Sequence, residues 1–225
     1  MTYLFAFTWS HAIDYSSNIR SGGSERGQAI DSYDFALSRG NAAYDVRRRF
    51  VGSIVYELPF GAGKKLLNQR GIANVLVGGW QVGSIMTFAD GIPWSVGAIG
   101  DTMNIGGSQT PNATGISAVP TNRSAQQFWN IAAFNATNPL LSYQFGNAAR
   151  DDLFAPGTAD VDFSLIKTTR ITERQALQLR FECFNFLNHP NWNAPASTPT
   201  APTTFGVITT AKAMREVQIA LKYSF

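Results

Sequence analysis

Apolar and polar residues alternate with a period of two over six separate stretches of this chain. That is the pattern of β-strands with one greasy and one wet face. The last stretch is the cleanest, with Val217, Ile219, Leu221, Tyr223 and Phe225 alternating with Glu216, Gln218, Ala220, Lys222 and Ser224. Residues 213–225 are expected to form a strand that runs to the final aromatic. At the other end, Tyr3, Phe5, Phe7 and Trp9 alternate with Thr2, Ala6, Thr8 and Ser10 over residues 2–10, and Leu4 is out of step. Over 45–58, Phe50, Gly52, Ile54, Tyr56 and Leu58 share one face, and Arg47, Arg49, Val51, Ser53, Val55 and Glu57 the other. Pro59 has no N–H to donate and ends that run. Three more strands are expected at 75–88, 159–169 and 174–186. Their apolar positions are Trp80, Val82, Met86 and Phe88, then Val161, Phe163 and Leu165, then Leu177, Leu179, Phe181 and Cys183.

The connections alternate in length. Loops 11–43, 89–158 and 187–212 are long and rich in Gly, Ser, Asn and Pro, with Ser21-Gly22-Gly23-Ser24 at the centre of the first. Between them lie a modest turn around Gly61–Asn68 and a tight one at Thr172-Glu173. An up-and-down path places every long loop at one end. A membrane-crossing strand needs about 9–11 residues, and outer-membrane barrels put short turns on the periplasmic side and long loops outside. The expected fold is therefore all-β, an antiparallel up-and-down transmembrane β-barrel segment of about six strands. Phe225 falls at the periplasmic end.

Composition narrows the alternatives. Only 15% of residues are charged, against about 25% in soluble domains. The net charge is +3, and no basic run exceeds Arg47-Arg48-Arg49, which argues against nucleic acid as a partner. Cys183 is the lone cysteine, and His11 and His189 are the two histidines, so no disulfide framework, metal site or cofactor is expected. No stretch approaches the roughly 18 apolar residues of a membrane helix. Any crossing must then be by strands, because only helices and closed barrels satisfy the backbone in lipid. The first ten residues lack the basic start and cleavage site of a signal peptide and read as a strand already under way. The expectation is a C-terminal part of a longer protein.

Several motifs carry a resemblance. Phe7-Thr-Trp-Ser-His-Ala-Ile-Asp14, Asp45-Val-Arg-Arg-Arg-Phe-Val51 and Tyr56-Glu-Leu-Pro-Phe-Gly61 occur in order. Gly78-Gly-Trp-Gln81, Phe184-Asn-Phe-Leu-Asn-His-Pro190 and Phe205-Gly-Val-Ile-Thr209 follow them. Together they resemble the C-terminal barrel of TonB-dependent outer-membrane receptors, nearest to the Oar-like branch that often carries a carboxypeptidase-regulatory-like domain. The resemblance implies the last six strands of a roughly 22-stranded barrel, with plug, energy-coupling box and signal peptide upstream. It implies uptake of a bulky ligand across the outer membrane of a Gram-negative-type bacterium. It also implies that the terminal strand, Val217 to Phe225, is read by the barrel-assembly machinery. Partners would be outer-membrane lipid, an unidentified extracellular ligand and a TonB-type energy-coupling complex.

Candidate residues fall into two sets. Arg49, Glu57, Gln81, Arg180, Glu182, Gln218 and Lys222 occupy the polar positions of the strands and are expected to face a wet lumen. Trp94, Phe128, Trp129, Phe134, Tyr143 and Trp192 lie in the long loops, where aromatics give large contact area to a ligand or pack their own loop. Asp151-Asp152, the Asp160/Asp162 pair and His189 have no catalytic or calcium-loop spacing, and no enzyme activity is expected. Gly61-Ala-Gly-Lys-Lys65 lacks the spacing of a phosphate loop and reads as a basic turn. Two other readings stay open: a soluble β-sandwich binding module, and a small self-sufficient structural or adhesive barrel.

Overall fold

The computed structural model describes residues 1–17, 30–31, 33–68, 71–97, 109–135 and 144–225; Ser21–Ser24 and Tyr143 lie outside them. Six strands make one antiparallel sheet: β1 Thr2–Trp9, β2 Arg48–Glu57, β3 Trp80–Ala89, β4 Thr158–Arg170, β5 Ala176–Phe184 and β6 Glu216–Ser224. Every strand pairs with its neighbour in sequence, and β1 and β6 are the open edges. The meander, the strand count and the alternation of long and short connections are as the sequence pattern implies.

Register turns six separate alternations into two continuous faces. Phe5 stands opposite Gly52, Phe50 opposite Phe88, Met86 opposite Val161, Leu165 opposite Phe181, and Leu179 opposite Leu221. A one-residue slip in any pair would send an apolar row to the wrong side, and none occurs. Aromatics border this apolar face at both ends. Tyr3, Tyr56, Trp80 and Tyr223 lie toward the short turns, and Trp9, Phe50 and Phe88 toward the long loops. Cross-strand ring contacts tie the upper row together, with Phe5–Phe50 centroids 6.0 Å apart and Phe50–Phe88 6.2 Å. Gly52 makes room for one of these rings, because a Cβ there would lie 2.9 Å from Phe5 Cδ1.

The opposite face carries Arg49, Glu57, Gln81, Arg180, Glu182, Gln218 and Lys222. Glu57 pairs across from Gln81, Glu182 from Gln218, and Lys222 from Gln178. All seven lie on one face of the sheet. Leu4, Val51, Val55, Ile85 and Ile166 interrupt that side with apolar groups, and Leu4, Val55 and Ile85 are exposed.

Three expectations need correction. The third strand begins at Trp80, not residue 75, because Ile72–Val77 forms a short helix, α1. Its Ile72, Val75 and Leu76 have the i, i+3, i+4 spacing of a helical stripe, which the strand reading passed over. Gly78 and Gly79 end it. Gly79 has φ +73° and packs so closely on the Thr168 carbonyl that no side chain fits, which lets the chain turn sharply into β3. Second, the long loops are not plain coil. Short ladders pair Ile13–Asp14 with Gly40–Asn41, Pro93–Trp94 with Leu153–Phe154, and Asn112–Ala113 with Phe134–Asn135. Third, a sandwich needs two sheets packed face to face. Among the described residues, the other sheets are these two-stranded ladders, and the extensive contacts of the six strands are with their own sheet neighbours.

Candidate functional site

The second and third long loops fold together into a cap beyond the long-loop ends of the strands. Its buried core is Val96, Phe128, Trp129, Leu153 and Phe205, with Trp94, Ile131, Phe134, Trp192 and Ile208 packed around it. Main-chain bonds knit the two loops. The Phe128 N–H donates to the Gly206 carbonyl at 2.8 Å, and the Ile208 N–H to the Ala125 carbonyl at 2.7 Å. The indoles are satisfied within the cap as well. Trp94 Nε1 donates to Ser197 Oγ at 3.0 Å and Trp129 Nε1 to the Phe154 carbonyl at 3.3 Å.

Burial sorts the loop aromatics between ligand contact and packing within their own loops. Phe128 is 6% and Trp129 1% exposed, so Trp129 is a core residue and Phe128 shows only an edge. Trp94, Phe134 and Trp192 are half-buried against the same core.

A buried charge cluster fastens the first long loop to the cap. Arg150 donates from Nε to the Ser38 carbonyl at 2.8 Å, from Nη1 to Asp151 Oδ2 at 3.1 Å, and from Nη2 to Asp14 through both its carboxylate and its carbonyl. Asp151 is fully buried and also accepts from Ser95 Oγ at 2.6 Å. Asn41 Nδ2 donates to the Asp151 carbonyl at 2.7 Å. Nearby, buried Asp45 accepts the Ala12 N–H at 3.0 Å, with Arg47 Nε 3.6 Å and His11 Nε2 4.0 Å from its second oxygen. Asp14, Asp45, His11 and Arg47 all come from the two N-terminal motifs, and their work is to anchor loops.

The Asn-rich motif after β5 has a similar role. Asn185 and Asn188 adopt left-handed backbone angles, φ 47° and 53°, which Asn tolerates better than most residues. Asn185 exchanges two hydrogen bonds with the backbone of His189, and Asn191 two with the backbone of Ala159 at the start of β4. His189 is thus a turn residue. Asp162 accepts the Asn185 N–H at 3.0 Å, while Asp160 Oδ1 is buried without a hydrogen bond. Cys183 is buried on the apolar face between Phe163 and Val217.

Where cap meets strand ends, a pocket of about 510 Å³ opens. Arg47, Arg48 and Asp90 come from the strand ends, Arg123 and Phe128 from the cap, Phe154 and Pro156 from the segment leading into β4, and His189 and Trp192 from the last loop. Arg48 is held by Asp90 at 2.7 and 3.0 Å. The Arg47 guanidinium lies 4.7 Å from the Phe154 ring centroid and that of Arg123 4.5 Å from Phe128. Of the aromatics expected to meet a ligand, Phe128 and Trp192 line this pocket; Trp94 and Trp129 do not. The three arginines escaped sequence reasoning, because nothing in their spacing links Arg123 to Arg47.

Among the described residues, no cluster of three or more His, Cys, Asp or Glu could hold a metal. Comparison with curated proteins and with solved structures finds no match. A family model described as an outer membrane beta barrel domain matches residues 1–218, all of the chain but its last seven residues, which hold most of β6. Six strands with an aromatic-bordered apolar face, a polar reverse face and long loops at one end fit the pattern of such barrels. The chain belongs to the outer membrane β-barrel domain family, and its place is the outer membrane of a Gram-negative-type bacterium.

Proposed function

We propose that these six strands are one stretch of the wall of a larger transporter barrel, the last six strands of a TonB-dependent receptor. Such a receptor captures a bulky ligand outside and takes it up with energy from the inner membrane. The observation that carries this reading is the folded cap set at the long-loop end of a sheet whose reverse face is polar. A cap built to hold shape on its own suits capture from outside, and a row of Arg, Glu, Gln and Lys suits a water-filled lumen or a plug. Two open edges would leave rows of N–H and C=O groups without partners in hydrocarbon. Further strands of the same wall would satisfy them. This reading assigns the chain no catalytic role.

Cross-linking in intact cells tests energised uptake. The full-length protein is expected to yield an adduct with the TonB-type energy-coupling protein. If adducts with the barrel-assembly machinery form and that adduct does not, the transport reading fails and a structural or adhesive barrel takes its place.

The faces make a separate prediction. Leu179 is central in β5 on the apolar side. Leu179→Arg is expected to cost about 2–4 kcal/mol, the penalty for a cationic side chain near the bilayer midplane. Gln218→Arg, exposed on the polar side of β6 and opposite Glu182, should stay within about 0.5 kcal/mol. Denaturant titration of the protein folded in lipid vesicles measures both, and equal costs would mean the faces are assigned the wrong way round.

A further inference from the structure

We infer that the pocket between cap and strand ends binds an anionic group, a carboxylate or phosphate, carried on an aromatic or aliphatic body. The charge balance of its lining points there. Arg48 is neutralised by Asp90 in a two-pronged pair, and Arg47 has Asp45 3.6 Å behind it. Arg123 has neither. Among the described residues no carboxylate lies within ion-pair distance of it, and its guanidinium makes no hydrogen bond, although Phe128 holds it over the cavity wall. Partial burial also pulls its proton affinity below the usual arginine value, the sign of a cation losing water without gaining an anion.

Three guanidinium groups against one carboxylate leave this lining positive. His189 adds one imidazole to the wall, and Phe128, Phe154, Trp192, Pro156 and Pro190 make the rest of it apolar and largely ring-shaped. A bare ion would leave these walls unused, and a neutral apolar molecule would leave Arg123 unpaired. About 510 Å³ is within the range of roughly 300–1,000 Å³ common for small-molecule sites. The arginines suit carboxylate and phosphate equally, since both present paired oxygens to a guanidinium fork. The group could arrive on a soluble ligand or on a membrane lipid headgroup. The inference does not depend on energised uptake, because binding is measured without the coupling complex.

The test uses full-length protein purified from its native outer membrane, with phenyl phosphate as probe and benzyl alcohol as neutral counterpart, both read by saturation-transfer NMR. Phenyl phosphate should bind the wild type, and Arg123→Gln should weaken it at least tenfold. Arg123→Lys should hold it within about threefold, since it keeps the charge on the same loop. Arg174→Gln, in the turn at the far end of the sheet, should change nothing. Lipid extracted from the same preparations distinguishes the sources. A stoichiometric anionic lipid kept by the wild type and lost in Arg123→Gln assigns a headgroup, and its absence assigns a soluble anion. Benzyl alcohol binding as tightly as phenyl phosphate, or Arg123→Gln matching Arg174→Gln in both probe affinity and retained lipid, would overturn the inference.

Discussion

Replacing Arg150 by Met should release the first long loop from the cap at a cost of about 3–5 kcal/mol, the range for removing one member of a buried charge cluster. The side chain is 9% exposed and serves two carboxylates and two carbonyls at once. Met fills much of the volume and satisfies none of them. Asp151, with its side chain only 1% exposed, would be left as a buried anion whose neutral partner is the Ser95 hydroxyl. It must then take up a proton or draw in water, and the short ladder of Ile13–Asp14 on Gly40–Asn41 loses the guanidinium beside it.

Limited proteolysis of outer membranes reads the effect directly. The variant is expected to be cut within 11–17 and 33–43 at protease doses that leave the wild type whole, while the six strands stay protected. A triple change, Arg150→Met with Asp14→Asn and Asp151→Asn, should recover much of the loss, because neutral amides cost far less to bury than unpaired carboxylates. If Arg150→Met keeps the wild-type cleavage pattern, the cluster does not fasten the loop.

The wall of this molecule was legible in its sequence and the cap was not, for a physical reason. A strand with one face in lipid and one in water writes a period of two into consecutive residues, so β1, β2 and β6 could be read locally. The strand ends were less sharp. Residues 45–47 look like a start to β2, but Asp45 turns inward to accept the Ala12 N–H, and the ladder begins at Arg48. Residues 75–77 carry apolar side chains that suit strand or helix, and the pair Gly78-Gly79 decided it.

The cap depends on contacts between residues far apart in the chain. Arg150 meets Asp14 across 136 positions, and Trp94 meets Ser197 across 103. No periodicity records such pairs. Loop aromatics could be listed from the sequence, but whether Trp129 points out at a ligand or in at Phe205 turns on where the last loop returns. The signal available was the motif Phe205-Gly206. Gly206 has φ +72° and lies so close to the Trp129 backbone that a side chain would strike it. A glycine beside an aromatic in a loop marks a place where two chains approach.

That approach makes Trp129 the second site of large effect. Trp129→Ala is expected to cost about 3–5 kcal/mol, as large-to-small changes in a packed core do. The indole is the largest fully buried side chain among the described residues and packs on both Phe128 and Phe205, with centroids 6.1 and 6.4 Å away. Losing it opens a cavity between the two loops and leaves the Phe154 carbonyl without the indole N–H. The damage should stay in the cap, because this core shares no residue with the six-stranded sheet. Hydrogen exchange on protein in lipid is expected to show faster exchange at Phe128, Gly206 and Ile208, with the amides of β3, β4 and β5 unchanged. Trp129→Phe keeps most of the apolar volume and loses only the N–H, so it should cost about 1–2 kcal/mol. Exchange that rises equally in cap and strands would mean that the cap is not a separate folding unit, and that the strands lean on it for their own stability.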